Sequence, residues 1–287
     1  MDIRSHCSYR SVDEIKKTTR TLSDNFDIHW FRYTKVLKDN SRTFLSNSIS
    51  DLEYFFEDEN YQYDLVDGCQ FDHYKPGIYT WDALAECTNS TKKYHNQRIG
   101  NDIKSLFKFC YGVVVTIKDN SACEIYEFSS EKRNLYFYDH SIFFRFICYF
   151  KEKHRHRITE ANNELYQFSD DQLKSPISNI ITPEAHKFMS FQFDTKVNRY
   201  YLGGHYSDTY LTKRELVCVY WAGLGKSNDD IAKLMEVSPR TVDKYLEAVR
   251  KKLNCYNKMR ICQIVNNYIP YLKNPSFLEY IIGVSGL

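Results

Sequence analysis

The chain has 287 residues, enough for a sensor-sized domain followed by a smaller one. With 43% apolar and 16% aromatic residues it has the material for a buried core, which excludes a disordered chain, while a net charge of +2 decides nothing until it is divided by region. No charged-then-apolar leader is found over Met1 to Asn25 and no run of about 18 uncharged apolar residues anywhere, so a cytoplasmic location is expected rather than secretion or a membrane.

In chain order, Ser11 and Glu14 have capping-box spacing ahead of Ile15 and Leu22 and predict a helix. Phe26, Ile28 and Trp30 then alternate as in a strand. Lys38-Asp39-Asn40-Ser41 reads as a turn, Arg42 to Leu45 as the second arm of a hairpin and Asp51 to Glu57 as a helix. Ile99, Ile103, Leu106, Phe107 and Cys110 keep helical spacing. Gly112 to Ile117 and Ala122 to Phe128 predict a hairpin across Asp119-Asn120. An apolar stretch, Ser141 to Phe150, precedes the basic run of Lys151, Lys153, His154, Arg155, His156 and Arg157. That run reads as a solvated helix end, or as a contact to DNA or phosphate. Breaks are expected at Ser169 to Pro183 and at Leu202 to Asp208, the second being the preferred domain junction.

Beyond that junction the signals become denser. Thr212 with Glu215 caps one helix, whose apolar face is Leu216, Val219, Tyr220 and Leu224. Ser227 with Asp230 caps a short second helix, with Ile231, Leu234 and Met235 predicted inward. Ser238 followed by Pro239 starts a third, because Ser accepts an orphan N–H and Pro at the first helical position needs no partner. Val242, Leu246, Val249 and Leu253 make its buried stripe and turn Arg240, Asp243, Lys244, Glu247 and Lys251 outward. A fourth helix from Asn257 to about Ile269 carries Ile261, Ile264, Val265 and Tyr268, some of it expected at a dimer contact. From Ser207 to Leu272 there are eleven Lys and Arg against seven Asp and Glu, a local balance of +4 in a chain of +2. Two helices joined by a three- to four-residue turn, the second with an exposed polar face, suit a major groove.

Leu211-Thr212, Arg214-Glu215, then Gly225 to Ala232, then Val237 to Val242, then Lys252-Leu253 resemble the LuxR-type helix-turn-helix in order and spacing. The resemblance implies that Ser227, Thr241 and Lys252 lie beside phosphates and that Asp243, Lys244 and Glu247 approach base edges. Asn228, Ser238, Arg240, Tyr245, Lys251 and Lys258 complete the expected DNA-binding set. Two positions depart from the pattern: Tyr245 stands where a His is usual, and Lys258 where an Arg is. Upstream, Tyr61 to Gly68, Pro76 to Leu84 and Tyr111 to Ile117 are similar to the order in autoinducer-binding domains of LuxR-type quorum regulators, with Asp67-Gly68 in place of Asp-Pro. That similarity implies a small-molecule site at Tyr61, Asp67, Tyr79 and Trp81; on the alternative reading Tyr61, Tyr79 and Trp81 are core and rim residues with no ligand, since aromatic residues are buried for packing more often than for recognition.

The expectation is therefore an α+β protein. An N-terminal α/β sensor domain over 1–200 has an antiparallel sheet flanked by helices; a linker over 201–208, an all-α four-helix DNA-binding domain over 209–272 and a tail over 273–287 follow. Its expected partners are double-stranded DNA, a second copy of the chain and a small-molecule signal, with no membrane; the alternative is a regulator or adaptor whose first domain binds a protein and no small ligand. No catalytic signature such as GxSxG, HExxH, a P-loop or GxGxxG occurs, so an enzyme is not expected. The nine cysteines lack CxxC spacing, which favours reduced thiols over a metal or disulfides, and no cofactor is implied.

Overall fold

The computed structural model describes residues 3–57, 66, 69–86, 111–132, 135, 140–167, 197–206, 208–269, 272 and 275–282. The helix over Ile99 to Cys110, the break at Ser169 to Pro183, and Tyr61 and Asp67 lie outside the described residues. The chain divides into two compact units, Met1–Tyr138 with His154–Met189, and Asp139–Lys153 with Ser190–Leu287.

The first unit is built on a five-stranded antiparallel sheet in the order β2-β1-β5-β4-β3. Its strands are β1 (Trp30–Leu37), β2 (Arg42–Ser46), β3 (Gly77–Thr80), β4 (Tyr111–Lys118) and β5 (Ala122–Ser130). Both expected hairpins form. Asp39 Oδ1 accepts from Ser41 N and Oγ while Asn40 takes φ 66°, and Asp119 Oδ1 accepts from Ser121 N and Ala122 N, so an Asx side chain closes each turn. The register sets Trp30, Arg32, Thr34 and Val36 opposite Ser129, Glu127, Ile125 and Cys123, and therefore on one face. On that face Val36, Tyr79, Val114, Cys123 and Ile125 join Val66, Cys69, Phe71, Tyr74 and Leu84 in one apolar cluster. Phe31 with Phe128 and Tyr33 with Tyr126 meet as tilted ring pairs on the other face, with centroids 5.3 and 5.2 Å apart.

Helix α1 (Cys7–Phe26) runs beside β2, where Val12 meets Phe44, Leu52 and Phe55. It begins one turn before the expected Ser11. The His6 ring caps Ser8 N, and Ser11 Oγ is turned back to Cys7 O at 2.6 Å inside the helix, so the Ser11–Glu14 spacing is not a cap. Helix α2 (Ile49–Glu57) matches the helix expected from Asp51, and α3 (Trp81–Glu86) follows β3.

The basic run is divided by the fold: Lys153 and His156 are exposed, Arg155 and Arg157 half-buried, and Lys151 and His154 buried. It spans the end of α4 (Ser141–Lys153) and the start of α5 (Arg155–Asn163). His154 is buried with Nε2 2.7 Å from Thr18 Oγ1, and Glu14 on α1 receives Arg157 at 2.8 Å and lies 3.3 Å from both His154 and His156. Arg157 and Arg10 share Glu160, and Arg10 also reaches Glu164, so α1 and α5 are joined by a ladder of charge.

In the second unit, β6 (Arg199–Tyr201) pairs with β7 (Tyr210–Thr212). The linker expected at 201–208 is thus the turn of a hairpin, held by Leu202 N to Thr209 O and Tyr206 N to Gly203 O. Helix α4, which the sequence assigned to the sensor, packs on β6 within this unit; Lys151 donates to Leu202 O and Asn198 N donates to Glu152. The expected tail instead contains helix α10 (Pro275–Ile282), whose Phe277, Leu278 and Ile281 are buried. Between these lie α6 (Lys213–Gly223), α7 (Asn228–Leu234), α8 (Pro239–Leu253) and α9 (Lys258–Tyr268).

Candidate nucleic-acid interface

Local chemistry marks both ends of α6, α7 and α8. Thr212 with Glu215 and Ser227 with Asp230 form complete capping boxes, and Ser238 caps Thr241 N with Pro239 in the first turn. Each helix then ends in a Schellman pair: Lys226 N to Trp221 O with Gly225 N to Ala222 O, Val237 N to Ala232 O with Glu236 N to Lys233 O, and Cys255 N to Arg250 O with Asn254 N to Lys251 O. The motif needs positive φ at Gly225 (82°), Glu236 (55°) and Asn254 (47°), which Gly adopts freely, Asn tolerates and Glu adopts only at a cost.

Val242, Leu246, Val249 and Leu253 are buried as expected, against a core that includes Leu216, Val219, Ile231, Ala232 and Met235. Leu234 is not inward; it is 48% exposed, because Ile231, Ala232 and Met235 occupy the face α7 turns to its neighbours. On α9 the expected residues Ile261, Ile264, Val265 and Tyr268 are buried, whereas Met259 on the same helix is 69% exposed. Burial also pushes the Cys218 thiol up to about 12, with its sulfur 3.3 Å from that of Met235, which makes it a packing group.

The outward stripe of α8 carries Arg240, Asp243, Lys244 and Lys251, exposed, beside a half-buried Glu247. Among the described residues, Arg240 and Lys244 make no ion pair. Asp243 accepts from Asn228 Nδ2 at 2.6 Å, whereas Glu247 lies 3.5 Å from Arg250 and 3.7 Å from Lys251. Ser227 Oγ donates to Asp230 Oδ2, and the Ser238 and Thr241 hydroxyls are 2.8 Å apart. Lys258 donates to Lys226 O at 3.2 Å, and Tyr245 is half-buried on α8. Lys252 has partners within the protein. Its ammonium is 2.6 Å from the buried Glu215 carboxylate and 4.7 Å from the Tyr210 ring centre, so it joins the end of α8 to the start of α6.

Residues 209–265 match the family described as bacterial regulatory proteins, luxR family. This segment is a LuxR-family helix-turn-helix. The LuxR-type segment is similar to transcriptional activator protein LuxR of Aliivibrio fischeri, at 44% identity over 75 residues, 24% of this chain and 29% of that one. It is also 42% identical over 48 residues to the HTH-type quorum sensing-dependent transcriptional regulator VjbR of Brucella ovis, covering 17% of this chain and 18% of the relative. The chain thus spans less than a third of the length of the curated relatives it matches. A crystal structure of Escherichia coli SdiA aligns over 90% of both chains at 16% identity, with a TM-score of 0.36.

The first unit brings together two of the four expected ligand residues. Tyr79 is buried in the sheet-face cluster, and its hydroxyl donates toward the carbonyls of Lys75 and Pro76, 3.0 and 3.1 Å away, which uses the phenol locally. Burial raises that phenol to about 12. Trp81 packs against the same cluster and lies 5.9 Å from Trp30. A Cβ at Gly112 would fall 2.1 Å from two atoms of the Trp81 ring, so glycine is required where this ring crosses β4. What sequence reasoning missed is the charge beside these rings. Arg32 donates to Glu127 from two nitrogens, at 2.9 and 2.8 Å, and to Asp51 at 3.1 Å, with its guanidinium 5.0 Å over Trp30. All three charged side chains are buried.

His6, Cys7 and Glu164 also bring donor atoms within 4.8 Å of one another. His6 Nδ1 accepts from Ser8 N and Nε2 is 2.6 Å from Glu164 O, while burial raises the Cys7 thiol to about 12, so hydrogen bonds and packing account for the group.

Proposed function

We propose that this chain is a transcription regulator that binds duplex DNA by laying α8 in the major groove, as a dimer on a two-fold related site with half-sites about one helical turn apart. The observation that carries this reading is the stripe Arg240, Asp243, Lys244 and Lys251, held outward because the opposite face of α8 is locked into the core by four apolar residues. The names of LuxR and VjbR, an activator and a quorum-sensing-dependent regulator, support it.

Duplex binding by the full chain, followed by fluorescence anisotropy as salt is raised, tests the proposal. Arg240→Ala and Lys244→Ala are each expected to weaken binding and to reduce the slope of log K against log salt by about 1. Lys252→Ala is expected to leave that slope in place, since its charge is held by Glu215. Binding that ignores salt, or that neither variant alters, would overturn the reading.

For the first unit we propose control by a small-molecule signal received on the sheet face that carries Trp30, Arg32, Trp81 and Tyr79. The buried charge beside aromatic rings supports a site that fixes a polar head by hydrogen bonds. The use of the Tyr79 hydroxyl by local carbonyls favours a second reading, in which these rings are core and the unit meets a protein. Denaturing mass spectrometry of compounds released from the purified chain, beside a thermal shift with acyl-homoserine lactones, separates the two. A captured or stabilising compound is expected on the first reading; neither a compound nor a shift leaves the second.

A further inference from the structure

The outward stripe of α8 contains two carboxylates, and the structure treats them differently. The oxygens of Glu247 lie near Arg250 and Lys251, cations of its own helix. Asp243 receives instead a neutral side-chain amide from the first residue of α7, Asn228 Nδ2 at 2.6 Å. A cation would cancel the charge of the acid; an amide directs the carboxylate and leaves the charge in place. Because this bond crosses from α7 to α8, the position of Asp243 is fixed by two helices that are each capped at both ends, and not by its own rotamer alone.

A fixed acid on a surface facing DNA is repelled by phosphates unless a donor meets it, and the bases offer few. In the major groove guanine presents only acceptors and thymine an acceptor and a methyl group, both unfavourable to a carboxylate. Adenine presents an amino group with the N7 acceptor beside it, so a carboxylate that reaches for the one is repelled by the other. Cytosine presents its N4 amino group with no acceptor next to it. We infer that Asp243 is a specificity-determining residue that accepts a hydrogen bond from the N4 amino group of one cytosine in each half-site, with Asn228 as its positioning residue. The exposed cations Arg240 and Lys244, one turn before and one residue after, offset the repulsion of the acid by the backbone. This inference rests on the proposed seating of α8 in the major groove.

The test is selection of binding sites from a randomised duplex library by the full chain, followed by affinities for the best site and for its single-base variants. The wild-type chain is expected to select cytosine at one position of each half-site and to prefer it over thymine by about tenfold. Asp243→Ala should flatten that position and no other. Asn228→Ala should reduce the cytosine preference while the salt slope stays unchanged, a result that a merely structural role would not produce. The inference is overturned if Asp243→Ala retains the cytosine preference or relaxes every position together, or if Asn228→Ala lowers affinity equally on all sequences. A wild-type chain that selects no sequence and binds no duplex removes the DNA reading itself, which distinguishes that failure from the loss of Asp243 as reader.

Discussion

Replacing Arg32 with Met is expected to destabilise the first unit by about 3–5 kcal/mol, most of what a domain of this kind has to lose. The side chains of Arg32 and Asp51 are 5% exposed and that of Glu127 is 2%, so removal of the guanidinium takes a cation from two carboxylates where water does not reach them. The network as a whole need not stabilise the fold, since desolvation of three ions offsets much of their attraction; what is costly is to break it. Urea unfolding followed by the fluorescence of Trp30, which lies under the guanidinium, should show an early transition in the variant. The combination of Arg32→Met with Asp51→Asn and Glu127→Gln should recover much of the loss, because the buried side chains are then neutral. A single variant that melts within about 0.5 kcal/mol of the parent, or a triple variant as weak as the single one, would contradict this account.

The second large effect is expected at Glu215. Its carboxylate accepts from Thr212 N at 2.8 Å, closing the capping box of α6, and receives Lys252 at 2.6 Å from the far end of α8. Glu215→Ala removes a cap and a charged hydrogen bond together and should lower the stability of the second unit by about 2–3 kcal/mol. Glu215→Gln, which keeps the cap and loses the charge, should lie between Ala and the parent. Thermal unfolding watched through Trp221 on α6 measures both, and an Ala variant no weaker than the Gln variant would mean that the cap contributes nothing. The same melt should move upward for Glu236→Gly by about 1 kcal/mol, since Glu236 holds a positive φ at the end of α7.

These two sites show what the sequence makes legible. Glu215 was readable because its first partner stands three residues away, and the same holds for Ser227 with Asp230 and for Ser238 with Thr241. Every helix of the LuxR-type segment announces itself within its own few residues, so the order and bounds of α6, α7 and α8 could be read directly. Arg32 was not readable, since its partners lie 19 and 95 residues away and are brought together only by strand register. Errors in the LuxR-type segment were those of face rather than of element: Leu224 and Leu234, expected on apolar faces, are 57% and 48% exposed, because periodicity shows that residues share a face and not what covers it. Ser11 misled for the opposite reason, since its spacing to Glu14 suits a cap but His6 supplies one a turn earlier. Of the candidate DNA-contacting residues, the structure gives Lys252 a partner inside the protein and leaves Arg240 and Lys244 exposed on the surface the sequence assigned to them.

The placement of α4 bears on how far the LuxR-type segment is a detachable cassette. This helix precedes β6 by more than forty residues in the chain, yet it lies against β6 and α10 and holds Leu202 O through Lys151. A fragment cut at the β6–β7 turn would carry α10 away from α4, against which it packs, and would part Phe277 from the Tyr200 ring on β6. Modularity in this protein therefore follows contacts and not sequence order: the unit that carries the LuxR-type helix-turn-helix is assembled from two separate stretches of chain, and a gene fusion that transplants the LuxR-type segment alone would move it without its foundation.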